Sequence, residues 1–164
     1  MMMKKLPLLV LCLGLVGSGL LGCGEVTAGA PAELELGTGS WRFEALDDGQ
    51  EVELIRGAQG GWHMWISLRV RGVDMERPPV RLRMQLADES RPAQDVEVAV
   101  RFDDPDDEGW RKLIGYTGIV NDPACLVGEL FRIEASLPMG GDEVMRAERD
   151  VTLLGGAYPP PACE

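Results

Sequence analysis

An all-β fold, an antiparallel β-sandwich of about 7–9 strands, is what this sequence predicts, and three observations predict it. Apolar residues recur at every second position in several runs. The clearest run lies between Trp62 and Arg71. There Trp62, Met64, Ile66, Leu68 and Val70 fall on one side and His63, Trp65, Ser67, Arg69 and Arg71 on the other. Clusters of Gly, Pro, Asn and Asp separate these runs at spacings of about 8–14 residues. No stretch beyond residue 23 carries the period of an amphipathic helix. The Trp62–Arg71 run is the expected central strand.

In chain order, Lys4 and Lys5 precede an apolar run from Leu6 to Leu20, and a small residue follows at Gly22. The run is about 15 residues, short of the roughly 20 that a spanning helix needs, so residues 1–22 read as a secretory signal peptide. Residues 23–39 are small and polar and read as a flexible tether. Residues 40–155 read as the sandwich. Within it, Trp41, Phe43 and Ala45 alternate before the turn at Asp47-Asp48-Gly49, and Glu51–Ile55 forms a second strand. Gly57–Gly61 then leads as a loop into the central strand.

Pro78 and Pro79 end that pairing, because they remove ladder donors and hold Arg77 extended. Val80, Leu82, Met84 and Leu86 alternate next, then Val96, Val98, Val100 and Phe102. If these two neighbours pair, a basic outer face (Arg81, Arg83) meets an acidic one (Asp95, Glu97), which helps register by a few tenths to about 1 kcal/mol per pair. The acidic turn Asp103–Gly109 leads to a strand over Trp110–Val120, interrupted at Gly115 and Gly118 as a bulge would be. Phe131, Ile133, Ala135 and Leu137 alternate into Gly140-Gly141-Asp142, and Met145–Leu154 returns, with Arg149 breaking its inward series. Residues 156–164 form an extended, proline-rich tail.

Two resemblances attach to these residues. Leu20-Leu21-Gly22-Cys23, after the charged start and apolar run, resembles the lipobox of bacterial lipoproteins. The resemblance implies cleavage before Cys23, acylation of its sulfur and amine, and effectively permanent anchoring in a lipid bilayer. Gly24 stands where some such proteins carry an inner-membrane retention Asp, so the implied address is the bacterial cell envelope, at the outer membrane. The closing hairpin, from Phe131 through Gly140-Gly141-Asp142 to Asp150-Val151-Thr152-Leu153, resembles the last strand pair of immunoglobulin-like and fibronectin-like domains. In pattern that likeness runs from Trp41 to Leu154, without the paired Cys and intervening Trp of antibody domains. The rival architecture, a closed lipocalin-type barrel, fits the long connections at Asp103 and Asn121 less well.

Loss of residues 1–22 would leave 142 of the 164 residues and, since they hold Lys4 and Lys5 and no acid, move the net charge from −11 to −13. So acidic a surface repels nucleic acid, which is not an expected partner. By the lipobox resemblance, Cys12 would leave with the signal peptide and Cys23 would be lipidated. Cys125 and Cys163 then remain as one pair for an oxidising compartment, and a disulfide between them is expected. The spacing is far from that of a two-thiol redox or metal site.

No residue set points to catalysis. His63 is the only histidine, and Ser67 lies four residues along the same strand face, about 13 Å away, too far for a dyad. Asp104-x-Asp106-x-Glu108-Gly109 opens like a calcium loop, but its twelfth position is Gly115 rather than a bidentate Glu, and Pro105 sits inside it. His63 with Met64, Met75 and Met84 has the ligand chemistry of copper(I), yet Met64 points away from His63 in a regular strand. No cofactor is therefore expected. The remaining candidate is a binding patch of Gln59, His63 and Trp65 on the outward face, for a protein, peptide or glycan partner. The competing expectation is a structural envelope module without a specific ligand, and a more distant one is a calcium- or copper-binding protein.

Overall fold

The computed structural model describes residues 31–161. Among these residues there are nine strands and no helix: β1 Glu33–Thr38, β2 Glu44–Ala45, β3 Glu51–Arg56, β4 Trp62–Arg71, β5 Pro79–Leu86, β6 Gln94–Ala99, β7 Arg111–Val120, β8 Leu130–Gly140 and β9 Glu143–Gly155. Hydrogen bonding runs in the order β2-β1-β4-β3-β9-β8-β5-β6, with β7 joined to the other side of β4. The join between halves is β3. Its Ile55 and Arg56 pair antiparallel with His63 and Trp62 of β4, whereas Glu51–Leu54 pair parallel with Thr152–Gly155 of β9. The sheet thus folds over at β3 into two layers with one core between them.

Met64, Ile66, Leu68 and Val70 of β4 are buried there with Leu82, Ile133, Leu137 and Leu153 of the opposite layer. Each such side chain contributes about 1.5–3 kcal/mol by leaving water. The alternation in β4 therefore does what its period predicts, and β4 is central, flanked by β1, β3 and β7. The all-β, sandwich-like architecture is what the structure bears out of the immunoglobulin-like expectation. It is mixed rather than wholly antiparallel, because β3 and β9 run side by side.

Three further expectations are corrected. The tether read over residues 23–39 ends earlier: Glu33–Thr38 is a strand that lies along β4 and buries Leu34 and Leu36, an alternation only four residues long. The alternation at Trp41, Phe43 and Ala45 yields only the two-residue strand Glu44–Ala45, paired with β1, and residues 39–43 become the turn between β1 and β2. Trp41, expected inward, is 93 % exposed at that turn. Val96 was also expected inward but is exposed, because β6 is an edge strand paired only with β5.

The β5–β6 register matches base against acid as expected, with Arg81 opposite Glu97 and Arg83 opposite Asp95. The bond that forms is diagonal, from Arg81 to Asp95, and it holds the Asp95 carboxyl below its usual range. Across β8 and β9, Arg132 bonds both carboxylate oxygens of Asp150 at 2.9 and 3.1 Å, and Arg146 bonds Glu134 at 2.9 Å. The outer face of this layer is a lattice of ion pairs.

The interruption expected in the Trp110 strand is a bulge. Between the Ile66–Tyr116 and Leu68–Leu113 pairs, β7 holds one residue more than β4. Gly115 takes a left-handed φ of 69° there, and a Cβ on it would come within 2.9 Å of the Ser40 carbonyl oxygen. Ser67 is fully buried opposite the bulge. Its hydroxyl donates to the Gly39 carbonyl at 3.0 Å and accepts from the Gly115 N–H at 3.1 Å. One side chain so fixes both the β1–β2 turn and the bulge. Ser67→Ala would leave two backbone groups without partners and is expected to lower stability by about 1–3 kcal/mol, read as a lower urea midpoint with an unchanged slope.

Candidate functional site

The outward face of β4 is divided. At its far end, Arg69 and Arg71 pair with Glu35 and Glu33 of β1 across the strand, at 2.8 and 2.6 Å. The Arg69 guanidinium lies between two rings, 4.9 Å from the centroid of Phe43 and 4.4 Å from that of Trp110, and Arg71 lies 4.6 Å from Trp110. Attraction between guanidinium and ring faces closes this end, and Trp110 is buried in the process. Phe43 reaches it across Gly37, where a Cβ would meet the Phe43 ring at 2.5 Å.

The near end holds two of the three residues singled out as a patch. His63 and Trp65 are half-buried and meet edge to face, with ring centroids 4.8 Å apart. The His63 Nε2 is buried without a hydrogen-bond partner. Gln59 is exposed in the β3–β4 turn. Among the described residues, the groove that Trp65 lines includes neither Gln59 nor His63. Its neighbour is instead Trp41, which the alternation of residues 41–45 placed inside. In two-residue periodicity an exposed and a buried tryptophan look alike, so only the tertiary placement of β1 separates them.

That groove has a volume of about 570 Å3. One wall is the β1–β2 turn, with Gly39, Ser40, Trp41, Arg42 and Glu44. The other is Gln50, Glu51, Val52, Glu53 and Ile55, and Trp65 lies with Thr38 between them. It exists because β3 leaves β4 after two paired residues and crosses to β9, while β1 covers β4 only from Ser67 onward. Both walls are anchored. The Thr38 hydroxyl donates to the Trp65 carbonyl at 2.9 Å, and Ser67 holds Gly39. On the other side, Gly49 N–H donates to Asp150 O at 2.6 Å, Thr152 N–H to Gln50 O at 2.9 Å and Asp150 N–H to the Asp48 carboxylate at 3.1 Å. The groove is therefore a preformed feature rather than a gap between loose loops.

The lining is aromatic and polar together. Glu44, Glu51 and Glu53 supply carboxylates, Gln50 an amide, and Arg42 a guanidinium already bonded to Glu44 at 2.7 Å. Ser67 lies on the same strand, but its hydroxyl is committed to Gly39 and Gly115 and is out of contact with solvent.

The acidic turn that opens like a calcium loop is held by protein groups. Asp106 accepts from Trp110 N–H at 2.9 Å, Glu108 N–H at 3.1 Å and Lys112 Nζ at 2.6 Å, and Lys112 foremost keeps its carboxyl below the usual range. Among the described residues, no three or more His, Cys, Asp or Glu side chains are grouped to hold a metal ion.

Cys125 sits in the turn before β8 with a left-handed φ of 64° and is not a free thiol. Cys163, Cys23 and residues 1–22 lie outside the described residues. The tail nonetheless folds back as far as it is described. Trp62 Nε1 donates to the Tyr158 carbonyl at 3.0 Å, and Pro160 is buried. Pro159 and Val127 both lie over Gly155, which brings the tail beside the segment that carries Cys125.

No protein-family model matches the chain, and neither a curated protein nor a solved structure does.

Proposed function

We propose that this chain is a lipoprotein of the bacterial cell envelope, held to a bilayer by acyl chains on Cys23, whose β-domain binds a partner without catalysis. The observation that carries the binding reading is Trp41, 93 % exposed on the wall of an anchored groove that also contains Trp65. An exposed tryptophan costs solvation free energy in the unbound protein and is a strong anchor when covered, since it brings large area with few rotamers to freeze. The ordered turn that carries it, fixed by Ser67, keeps that cost of binding low.

The anchoring reading rests on Lys4, Lys5, the apolar run and Leu20-Leu21-Gly22-Cys23. The Cys125–Cys163 disulfide completes the proposal. It would close 38 residues for roughly 4 kcal/mol and would fasten a tail whose Pro159 already lies by Val127.

Three outcomes are expected. Cys23→Ala should move the protein from the membrane pellet to the soluble fraction of fractionated cells with an unchanged far-ultraviolet circular dichroism spectrum; retention in the pellet would count against the anchor. Peptide mapping of the non-reduced protein should recover Cys125 and Cys163 in one linked fragment, whereas two thiols open to alkylation would refute the bridge. A photo-crosslinking residue at position 41 should give a discrete adduct in intact cells, while one at position 81, in the ion-pair lattice of the other layer, should not. Equal labelling at both positions would favour a structural envelope module.

A further inference from the structure

We propose that the groove between Trp41 and Trp65 takes an uncharged oligosaccharide, a reading that rests on the binding function above and names its ligand class. The chemistry of the lining is the argument. A pyranose ring presents a flat face of C–H bonds, edge-positive in character, and a rim of hydroxyls. Trp41 offers the complementary negative π face, and at 93 % exposure nothing in the protein occupies it. Around it stand the groups that a hydroxyl rim requires. Glu44 and Glu51 accept hydrogen bonds, Gln50 both donates and accepts, and Arg42 donates.

Charge narrows the class further. The groove carries Glu44, Glu51 and Glu53 against Arg42, whose charge is already met by Glu44 at 2.7 Å. The excess is negative, and the whole chain is acidic, with a net charge of −11. Phosphorylated, sulfated or uronic sugars would be repelled, as would acidic peptides. A neutral hydroxyl donates to those carboxylates and brings no charge of its own to desolvate. The competing occupant, a basic peptide, would meet the charge but would need side-chain pockets. Apart from Trp41, the groove's apolar lining is Val52 and Ile55 on one wall and the half-buried Trp65 between the walls.

The test uses the full-length protein in neutral detergent, titrated by calorimetry and by tryptophan fluorescence with chitohexaose, cellohexaose and a basic decapeptide. Saturable binding of at least one of the two hexasaccharides is expected. Trp41→Ala should weaken it by at least about tenfold, as loss of a central aromatic anchor does. Tyr158→Ala removes an aromatic that is 68 % exposed but outside the groove, and should leave the affinity unchanged. Because Trp41 is on the surface, its loss should not unfold the domain, and an unchanged urea midpoint checks this. Binding that survives Trp41→Ala would overturn the groove assignment. Absence of binding to both hexasaccharides would overturn the sugar class. If the decapeptide then binds in a Trp41-dependent way, the binding function stands with a peptide ligand; if position 41 also yields no crosslink in cells, that function falls as well.

Discussion

The divided pairing of β3 is the constraint from which the rest of the molecule follows. A strand can bond on two sides only, and β3 spends its last two residues on β4 and its first four on β9. That division turns one hydrogen-bonded path into two layers, since the strands on either side of β3 must face each other to bury their apolar sides. It also leaves β4 short of a neighbour around Trp65. The core and the groove are thus two results of the same crossing.

The two faces of β4 illustrate how the solution is completed. Inward, four aliphatic side chains at alternate positions enter the core. Outward, the same strand needs cover that a two-layer fold does not supply. Arg69 and Arg71 obtain it from Phe43, Trp110 and the glutamates of β1. That cap ends before Trp65, where the turn that contributes Phe43 swings outward. Trp41 and Phe43, two residues apart in one turn, so meet opposite fates: one over Gly37 against a guanidinium, the other at the groove wall in water.

Much of this was legible beforehand, and the reasons differ by element. The β4 stripe, the β5–β6 charge match and the bulge at Gly115 are local or nearest-neighbour effects, so spacing and residue type reveal them. The β1 strand was hidden because its alternation spans only Glu33 to Leu36 amid small polar residues. The patch at Gln59, His63 and Trp65 was drawn from a single strand and its turn. The structure joins His63 to Trp65 and leaves Gln59 apart, with Trp41 as the partner that no spacing rule relates to Trp65. Val96 alternates like its neighbours, but an edge strand exposes what a central one would bury.

The sequence by itself determined that the chain is built of strands, where most of them start and stop, which side of β4 faces inward, and the lipobox-like leader on which the proposed anchoring rests. These are matters of side-chain period, turn chemistry and composition, each confined to a few neighbouring residues. Tertiary structure alone decided that β3 would run parallel to β9, that residues 33–38 rather than 40–46 would lie along β4, and that Trp41 would stand beside Trp65. Those outcomes depend on which strand takes a shared edge and on one buried hydroxyl that ties Gly39 to Gly115 across nearly 80 residues of chain, a competition between distant segments that no local pattern encodes.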